Sequence, residues 1–370
     1  MTSSADITMV AGELEREGFH IFHDALNPQL VEKARQEIQD WLDIDLRERM
    51  ESGSTTPWHT GTAGTSVLTS PTHLLLDAYA KSSALDQLVE HILTDPVASG
   101  VLRVLAGEKI KFRGYNIQRM TGDPDPKPTI GIAPNPHEWH RDSPGEFGIA
   151  LFLEDVPGPN NGATSLVPGS QYFPYCPRWN CLFGPPYVTK YGTKGLNWFL
   201  RFNLANRLLG RKIAKKATAA YGKQGDFYFF INDVWHGREP NTNGRSGIKM
   251  MIGAFPADDA FPDKVVPPDE ATLAKLPPHV REAAGQFAST DKPFDNDTIL
   301  KRIRRYRREN APPLIFKLAK FERDGADAIS NAIMAPLYGL KTRIEPPLSR
   351  LKARVDHYRG VGRRTMGTSA

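Results

Sequence analysis

Between Lys109 and Phe255 the chain is a succession of short apolar runs, each closed by glycine, proline or asparagine. This alternation restricts the fold more than any other feature of the sequence. KIKFRGYNIQRM at 109–120, FGIALFLE at 147–154, DFYFFI at 226–231 and GIKMMIGAF at 247–255 all have the length and texture of strands. Two more strands are expected at 138–142 and 162–167. The connections TGDPDPKPTIGIAPNP, PGPNNG, PGS and NTNG are turn formers for different reasons. Proline fixes φ, whereas glycine and asparagine tolerate positive φ. Many short strands joined in this way close into a sandwich or a barrel.

The flanks read differently. GFHIFH at 18–23 is a short strand, followed by a helix over about 28–43. Asn27 is its N-cap, Pro28 its first residue, and Leu30, Val31, Ala34, Ile38, Trp41 and Leu42 its apolar stripe. A helical region is expected over about 71–106, stopping near Gly107. After about residue 260 the strands cease, and PPDEATLAKLPPHVREAAGQF and NDTILKRIRRYRREN look helical. The reading is a mainly β core with flanking helices over 1–260 and a helical, basic extension over 261–370. More than 50 residues separate PGSQ from GDFYFF, which makes about 172–224 a lid-like insert.

Charge is unevenly placed. The net charge is +5, yet residues 300–370 hold 17 Lys or Arg against 6 Asp or Glu, so the remaining 299 residues carry −6. Only two cysteines occur, Cys176 and Cys181, which rules out a disulfide framework and fits a reducing cytoplasm. The first residues lack a basic segment followed by an apolar one, and no apolar run reaches about 18 residues. The expectation is a cytoplasmic protein not integral to a membrane.

Within the strand-rich region, His140-Arg141-Asp142 places an imidazole and a carboxylate on one face of a strand, because residues i and i+2 point the same way. His-x-Asp alone is a weak signal. His236, in GDFYFFINDVWHG, supplies a second imidazole after another apolar strand. Two histidines and one carboxylate with open coordination positions form the facial triad of non-haem Fe(II) oxygenases. Nine residues on stands Arg245, whose guanidinium can hold a carboxylate through two parallel hydrogen bonds. That combination suits a 2-oxo diacid, chelating the metal at one end and meeting Arg245 at the other.

The ordered set HRD at 140–142, IALFLEDV at 149–156, NG at 161–162, PGSQ at 168–171, GD at 225–226, WHG at 235–237, Asn241 and Arg245 resembles the phytanoyl-CoA dioxygenase family of 2-oxoglutarate oxygenases. Order and spacing agree over about residues 12–256. The one departure is Gln171, where histidine more often follows Pro-Gly-Ser. The resemblance implies a double-stranded β-helix, a cupin-like jelly roll, with iron held by His140, Asp142 and His236. It also implies Fe(II), 2-oxoglutarate and O2, with succinate and CO2 released and hydroxylation the usual outcome. Family members that halogenate carry a small residue at the carboxylate position, so Asp142 argues for hydroxylation here.

Alternation in FRGYNIQRMT puts Asn116 and Gln118 on one face, where similar enzymes line the pocket, and both are candidate contacts to 2-oxoglutarate or substrate. Trp139 and Trp235 beside the ligands read as core. GLNWFLRFNLANRLLGRKIAKK and KRIRRYRREN are basic and amphipathic. Such segments pack over a barrel with a solvated basic face, or lie on an anionic membrane or an acidic carrier protein. In the tail run, Ile299, Ile303 and Tyr306 would form the packing stripe. No nucleic-acid module is recognisable. The leading function is oxygenation of a small-molecule or lipid-like, anionic or carrier-linked substrate. The alternative is a non-catalytic jelly-roll protein that keeps a metal for structure.

Overall fold

In the computed structural model, residues 4–52, 66–69, 72–120, 137–140, 145–172, 216–239, 241–243, 247–257, 267–285 and 297–310 are described. Strand runs bounded by turns pair into two antiparallel sheets. The larger contains β1 (Phe19–Phe22), β2 (Ser66–Thr69), β3 (Thr72–Leu75), β4 (Ile110–Met120), β6 (Phe147–Phe152), β9 (Phe227–Ile231) and β11 (Gly247–Pro256), in the order β1-β9-β6-β11-β4-β3-β2. The smaller contains β5 (His137–His140), β7 (Thr164–Leu166), β8 (Thr218–Ala220) and β10 (His236–Arg238), in the order β5-β10-β7-β8. All the pairings are antiparallel.

Parity along β4 and β11 shows what each face of the larger sheet meets. Tyr115 and Arg119 reach the helices: the Tyr115 hydroxyl donates to Asp86 on α3 (Ser83–Thr94) at 2.7 Å, and Arg119 pairs with Asp43 on α2 (Pro28–Ser52). Lys249, on the opposite parity, reaches Thr164 of the smaller sheet. The larger sheet is therefore a middle layer, with helices on one face and the smaller sheet on the other. Ile38 and Leu42 of α2, Leu85 and Leu88 of α3, and Ile117 and Ile252 of the sheet are buried in one apolar cluster.

The helix ends follow from their capping chemistry. The Asn27 side chain accepts hydrogen bonds from the N–H groups of Gln29 and Leu30, which fixes the start of α2 at Pro28 as the sequence indicates. That helix runs on to Ser52, past the expected end. The expected helical region at 71–106 is corrected at its beginning. Residues 72–75 form β3, paired with β2 and β4, and only then come α3 and α4 (Pro96–Ala106). The apolar run HLLL carries no period that separates strand from helix, and the open edge of β4 decides it. Asp95 caps α4 while Pro96 occupies its first turn, so the single expected region is two helices. An N-terminal helix α1 (Ser4–Glu17), β8 and β10 were not foreseen.

Beyond the sheets, α5 (Glu270–Leu273), α6 (Pro278–Ala284) and α7 (Ile299–Asn310) are helical, as the sequence suggests. Leu276, Val280, Ile299 and Ile303 join the same apolar cluster as the core. The stripe on α7 differs from expectation. Ile299, Leu300, Ile303 and Arg307 are buried, whereas Tyr306 is 46% exposed and lies edge-on to Tyr172. An ion pair with Asp233 holds Arg307 inside.

Burial lifts the Asp86 carboxyl to about 6, against the pull of the Tyr115 hydroxyl. Between the unfolded value and about 6 the folded state binds more protons, so stability is fullest near pH 4 and falls as pH rises to about 6. Asp86→Asn should flatten that limb and raise stability at pH 7 by on the order of 2 kcal/mol. Urea denaturation at pH 4.5 and pH 7 checks this. An equal loss at both would mean that the shape and hydrogen bonding of the Asp86 side chain, not its charge, are what the fold needs.

Candidate active site

The smaller sheet places the candidate ligands through its register. In β10, His236 is the Cα partner of His140 on β5, so two positions 96 residues apart in sequence are opposite each other in one ladder. Directly opposed residues of an antiparallel pair lie about 4.5–5.5 Å apart at Cα. That spacing suits two ligands of one cation. Asp142 lies two residues past the end of β5, outside the described residues, as do Arg245 and the central part of the lid-like insert with its basic amphipathic segment. His140 is described at the level of its backbone. The end of the insert, Thr218–Ala220, is a strand paired with β7. Among the described residues no three metal-ligating side chains cluster.

His236 is 7% exposed, and its Nδ1 lies 2.9 Å from the Val234 carbonyl oxygen. A carbonyl only accepts, so Nδ1 carries a hydrogen, and in the neutral imidazole the lone pair is on Nε2. This is the tautomer a metal ligand requires. The Phe230 ring stands edge-on to the imidazole at 5.7 Å. That ring crosses the sheet at Gly148, where an added Cβ would lie 1.9 Å from a ring carbon, so only glycine fits.

The turn carrying His236 is fixed from three directions. Ser170, in the PGSQ turn, accepts the Trp235 N–H at 2.7 Å, and the Val167 N–H donates to the Trp235 carbonyl. Asp233 accepts from the Gly145 N–H at 3.3 Å and forms a buried ion pair with Arg307 of α7. The Asn232 N–H donates to the carbonyl of Glu146, whose own carboxylate pairs with Arg113. Gln171 is fully buried and donates to the Glu15 and Arg16 carbonyls at the end of α1, a structural role consistent with its not being histidine. The Gly-Asp pair is also structural. Burial pushes the Asp226 carboxyl up, but N–H groups of Lys223 and Asp24 and the His23 imidazole outweigh it and hold it below its ordinary value.

One period further along β10, Arg238 faces Thr164 of β7, and both are buried. The Thr164 hydroxyl lies 2.9 Å from the Tyr228 hydroxyl and 3.2 Å from Nζ of Lys249. Lys249 is 9% exposed, and among the described residues no carboxylate pairs with it. Burial, reinforced by repulsion from Arg238, pushes its ammonium down to about 7. Gln118 is the Cα partner of Lys249, which puts it on the same row of the inner face. Asn116 lies one period along, and its Oδ1 accepts the Asp77 N–H at 3.1 Å. Sequence reasoning missed Lys249, Arg238 and Thr164. A lone cation inside the apolar strand GIKMMIGAF, and an arginine two residues beyond the second histidine, were the available signals.

A profile of the phytanoyl-CoA dioxygenase family matches residues 14–249, well over half of the chain, and the chain belongs to that family. It is therefore a 2-oxoglutarate-dependent oxygenase that works with Fe(II), 2-oxoglutarate and O2 on a small-molecule substrate. Solved structures similar to it include the α-ketoglutarate-dependent epimerase SnoN of nogalamycin biosynthesis, at 17% identity over 69% of this chain and 85% of that one, with a TM-score of 0.42. HygX from Streptomyces hygroscopicus, solved with nickel and 2-oxoglutarate, is similar at 11% identity over 69% and 88%, with a TM-score of 0.40. EctD from S. alaskensis is similar at 16% over 70% and 81%, with a TM-score of 0.44. No curated protein matches the chain. The family assignment rests on the profile match.

Lys249 is buried with no carboxylate paired to it among the described residues, and a buried ammonium without an anion is costly. Lys249→Met should therefore stabilise the ligand-free protein by about 1–3 kcal/mol at pH 7. Because the folded value, about 7, lies below the ordinary 10.5, the gain is fullest below pH 7 and disappears as pH approaches 10.5. Thermal melts of both proteins at pH 6.5 and pH 9.5 check this. A lower melting temperature for Lys249→Met at both would contradict it.

Proposed function

We propose that this oxygenase hydroxylates an aliphatic C–H bond of a small-molecule or lipid-like substrate, with His140, Asp142 and His236 holding the iron. The observation that carries this reading is the register of His236 against His140, together with the Nδ1–H donated to Val234, which leaves Nε2 for the metal. Asp142 follows the paired end of β5 by two residues and supplies the third ligand. With the carboxylate position filled, hydroxylation is favoured over halogenation. In the same reading the two sheets are the halves of a double-stranded β-helix, closed over the row that contains Tyr228, Thr164 and Lys249.

Bound Fe(II), with 2-oxoglutarate and O2, supplies the oxidising chemistry. The chain's own residues hold, orient and enclose it. Val234 and Phe230 fix the His236 ring, and Asp233 ties the turn before it to Gly145. Gln118 is proposed to contact the cosubstrate from the inner face, and Asn116 from the next row. Two cations are candidates to receive the distal carboxylate. One is Arg245, ahead of β11, to which the family resemblance points, and the other is Lys249 within β11.

The exposed arginines Arg305 and Arg308 on α7 and the basic residues beyond support an anionic or carrier-linked substrate, or a membrane-surface location. No helix among the described residues is long and apolar enough to cross a membrane.

With Fe(II), O2 and 2-oxoglutarate, the wild type should release succinate, faster with substrate present. His236→Ala and Asp142→Ala should each lose at least about 100-fold of this. Succinate quantified by mass spectrometry checks it. Undiminished turnover by Asp142→Ala would remove that residue from the metal site.

A further inference from the structure

We propose that Arg307, on α7, is a positioning residue for the metal: through Asp233 it fixes the turn that aims His236. This role rests on the metal-site reading above and deepens it. It also enlarges the functional unit, because α7 spans Ile299–Asn310 whereas the family profile ends at residue 249.

The turn passes its geometry on from residue to residue. The Val234 N–H donates to the Ile231 carbonyl at 2.9 Å, closing a four-residue turn between β9 of the larger sheet and β10 of the smaller. Asp233 is the third residue of that turn. The next residue, Val234, offers the carbonyl that receives the His236 Nδ1–H at 2.9 Å. A shift of Asp233 therefore moves the group that orients the imidazole. One carboxylate oxygen of Asp233 accepts the Gly145 N–H at 3.3 Å, a long bond that holds weakly by itself. The other meets the Arg307 guanidinium, and the side chains of this pair are only 6% and 7% exposed. A charge-assisted bond shielded from water is stronger than a neutral one and more exacting in direction.

The helix is anchored firmly enough to act as a brace. Ile299, Leu300 and Ile303 lie in the core cluster, and Arg302 donates two hydrogen bonds to Glu15 of α1, at 2.8 and 2.6 Å. Tyr306 stands edge-on to Tyr172, which directly follows the PGSQ turn whose Ser170 hydroxyl accepts the Trp235 N–H. α7 thus bears on the His236 segment at Asp233 and again at the turn that holds Trp235. Arg305 and Arg308 are exposed on the same helix, whereas Arg307 is turned inward. Stability alone does not call for that placement, since a buried ion pair is no more stabilising than apolar side chains of similar volume. A fixed direction at Asp233 does call for it.

The test uses Co(II) alone as the metal probe on the full-length protein, read by calorimetry and by visible absorption of the bound ion. Arg307→Met should weaken Co(II) binding by roughly 10- to 100-fold and alter that absorption. Arg305→Met, on the exposed face, should leave both unchanged. Asp233→Asn/Arg307→Met removes the lone buried carboxylate, so it should melt above Arg307→Met. Its Co(II) affinity should nonetheless stay within about threefold of that of Arg307→Met. The double variant carries the test if the single one does not fold. Wild-type affinity and absorption in both Arg307 variants overturn the proposal. Affinity that recovers along with the melting temperature in the double variant also overturns it, because α7 would then serve stability alone. Either result leaves the metal-site reading standing so long as His236→Ala abolishes Co(II) binding in the same assay. If the wild type binds no Co(II), or His236→Ala binds it undiminished, that reading fails and this proposal with it.

Discussion

The site depends on a strand of three residues, His236–Arg238, paired on both sides. Its register against β5 brings His236 opposite His140, and its register against β7 brings Arg238 opposite Thr164. Because side chains on a strand alternate with period two, a slip of one residue would send both functional side chains to the other face. The histidine pair and the cationic row thus both follow from where β10 lies between its neighbours. That alignment is held by backbone bonds on either side and by the Ser170 hydroxyl on the turn before it.

A strand this short cannot fix its own register, and the rest of the chain contributes to it. The ion pair between Asp233 and Arg307 is buried at both ends, and Arg307 belongs to a helix more than 60 residues beyond the second histidine. Removing one partner of such a pair costs about 3–5 kcal/mol, because the other charge stays buried alone. The same carboxylate receives the Gly145 N–H at the start of the segment leading into β6. The basic C-terminal region therefore braces the loop that presents His236, a role its charge pattern did not suggest.

Much of the architecture was legible in the sequence because it rests on local chemistry. Asn27 and Pro28 announced α2, and the apolar runs at 109–120, 147–154, 226–231 and 247–255 became β4, β6, β9 and β11. The family was legible from ordered turns around two histidines. What could not be read depended on partners distant in sequence. The HLLL run became a strand because β4 offered an edge, and β8 and β10 are too short to carry a periodic signal. Arg307 sits in a run of arginines that looks solvated, and only the packed structure shows that one of them points inward against Asp233. Lys249 was hidden for the opposite reason: an apolar strand with one lysine reads as an edge or a snorkelling side chain until the smaller sheet covers it.

The central claim is that the register of β10 against β5 brings the proposed metal ligands together. A crystal structure of the protein grown anaerobically with Mn(II) and 2-oxoglutarate tests it most directly. The account predicts one metal ion bonded to His236 Nε2, with His140 and Asp142 completing the protein ligands. A metal bound away from the β5–β10 pair would contradict it.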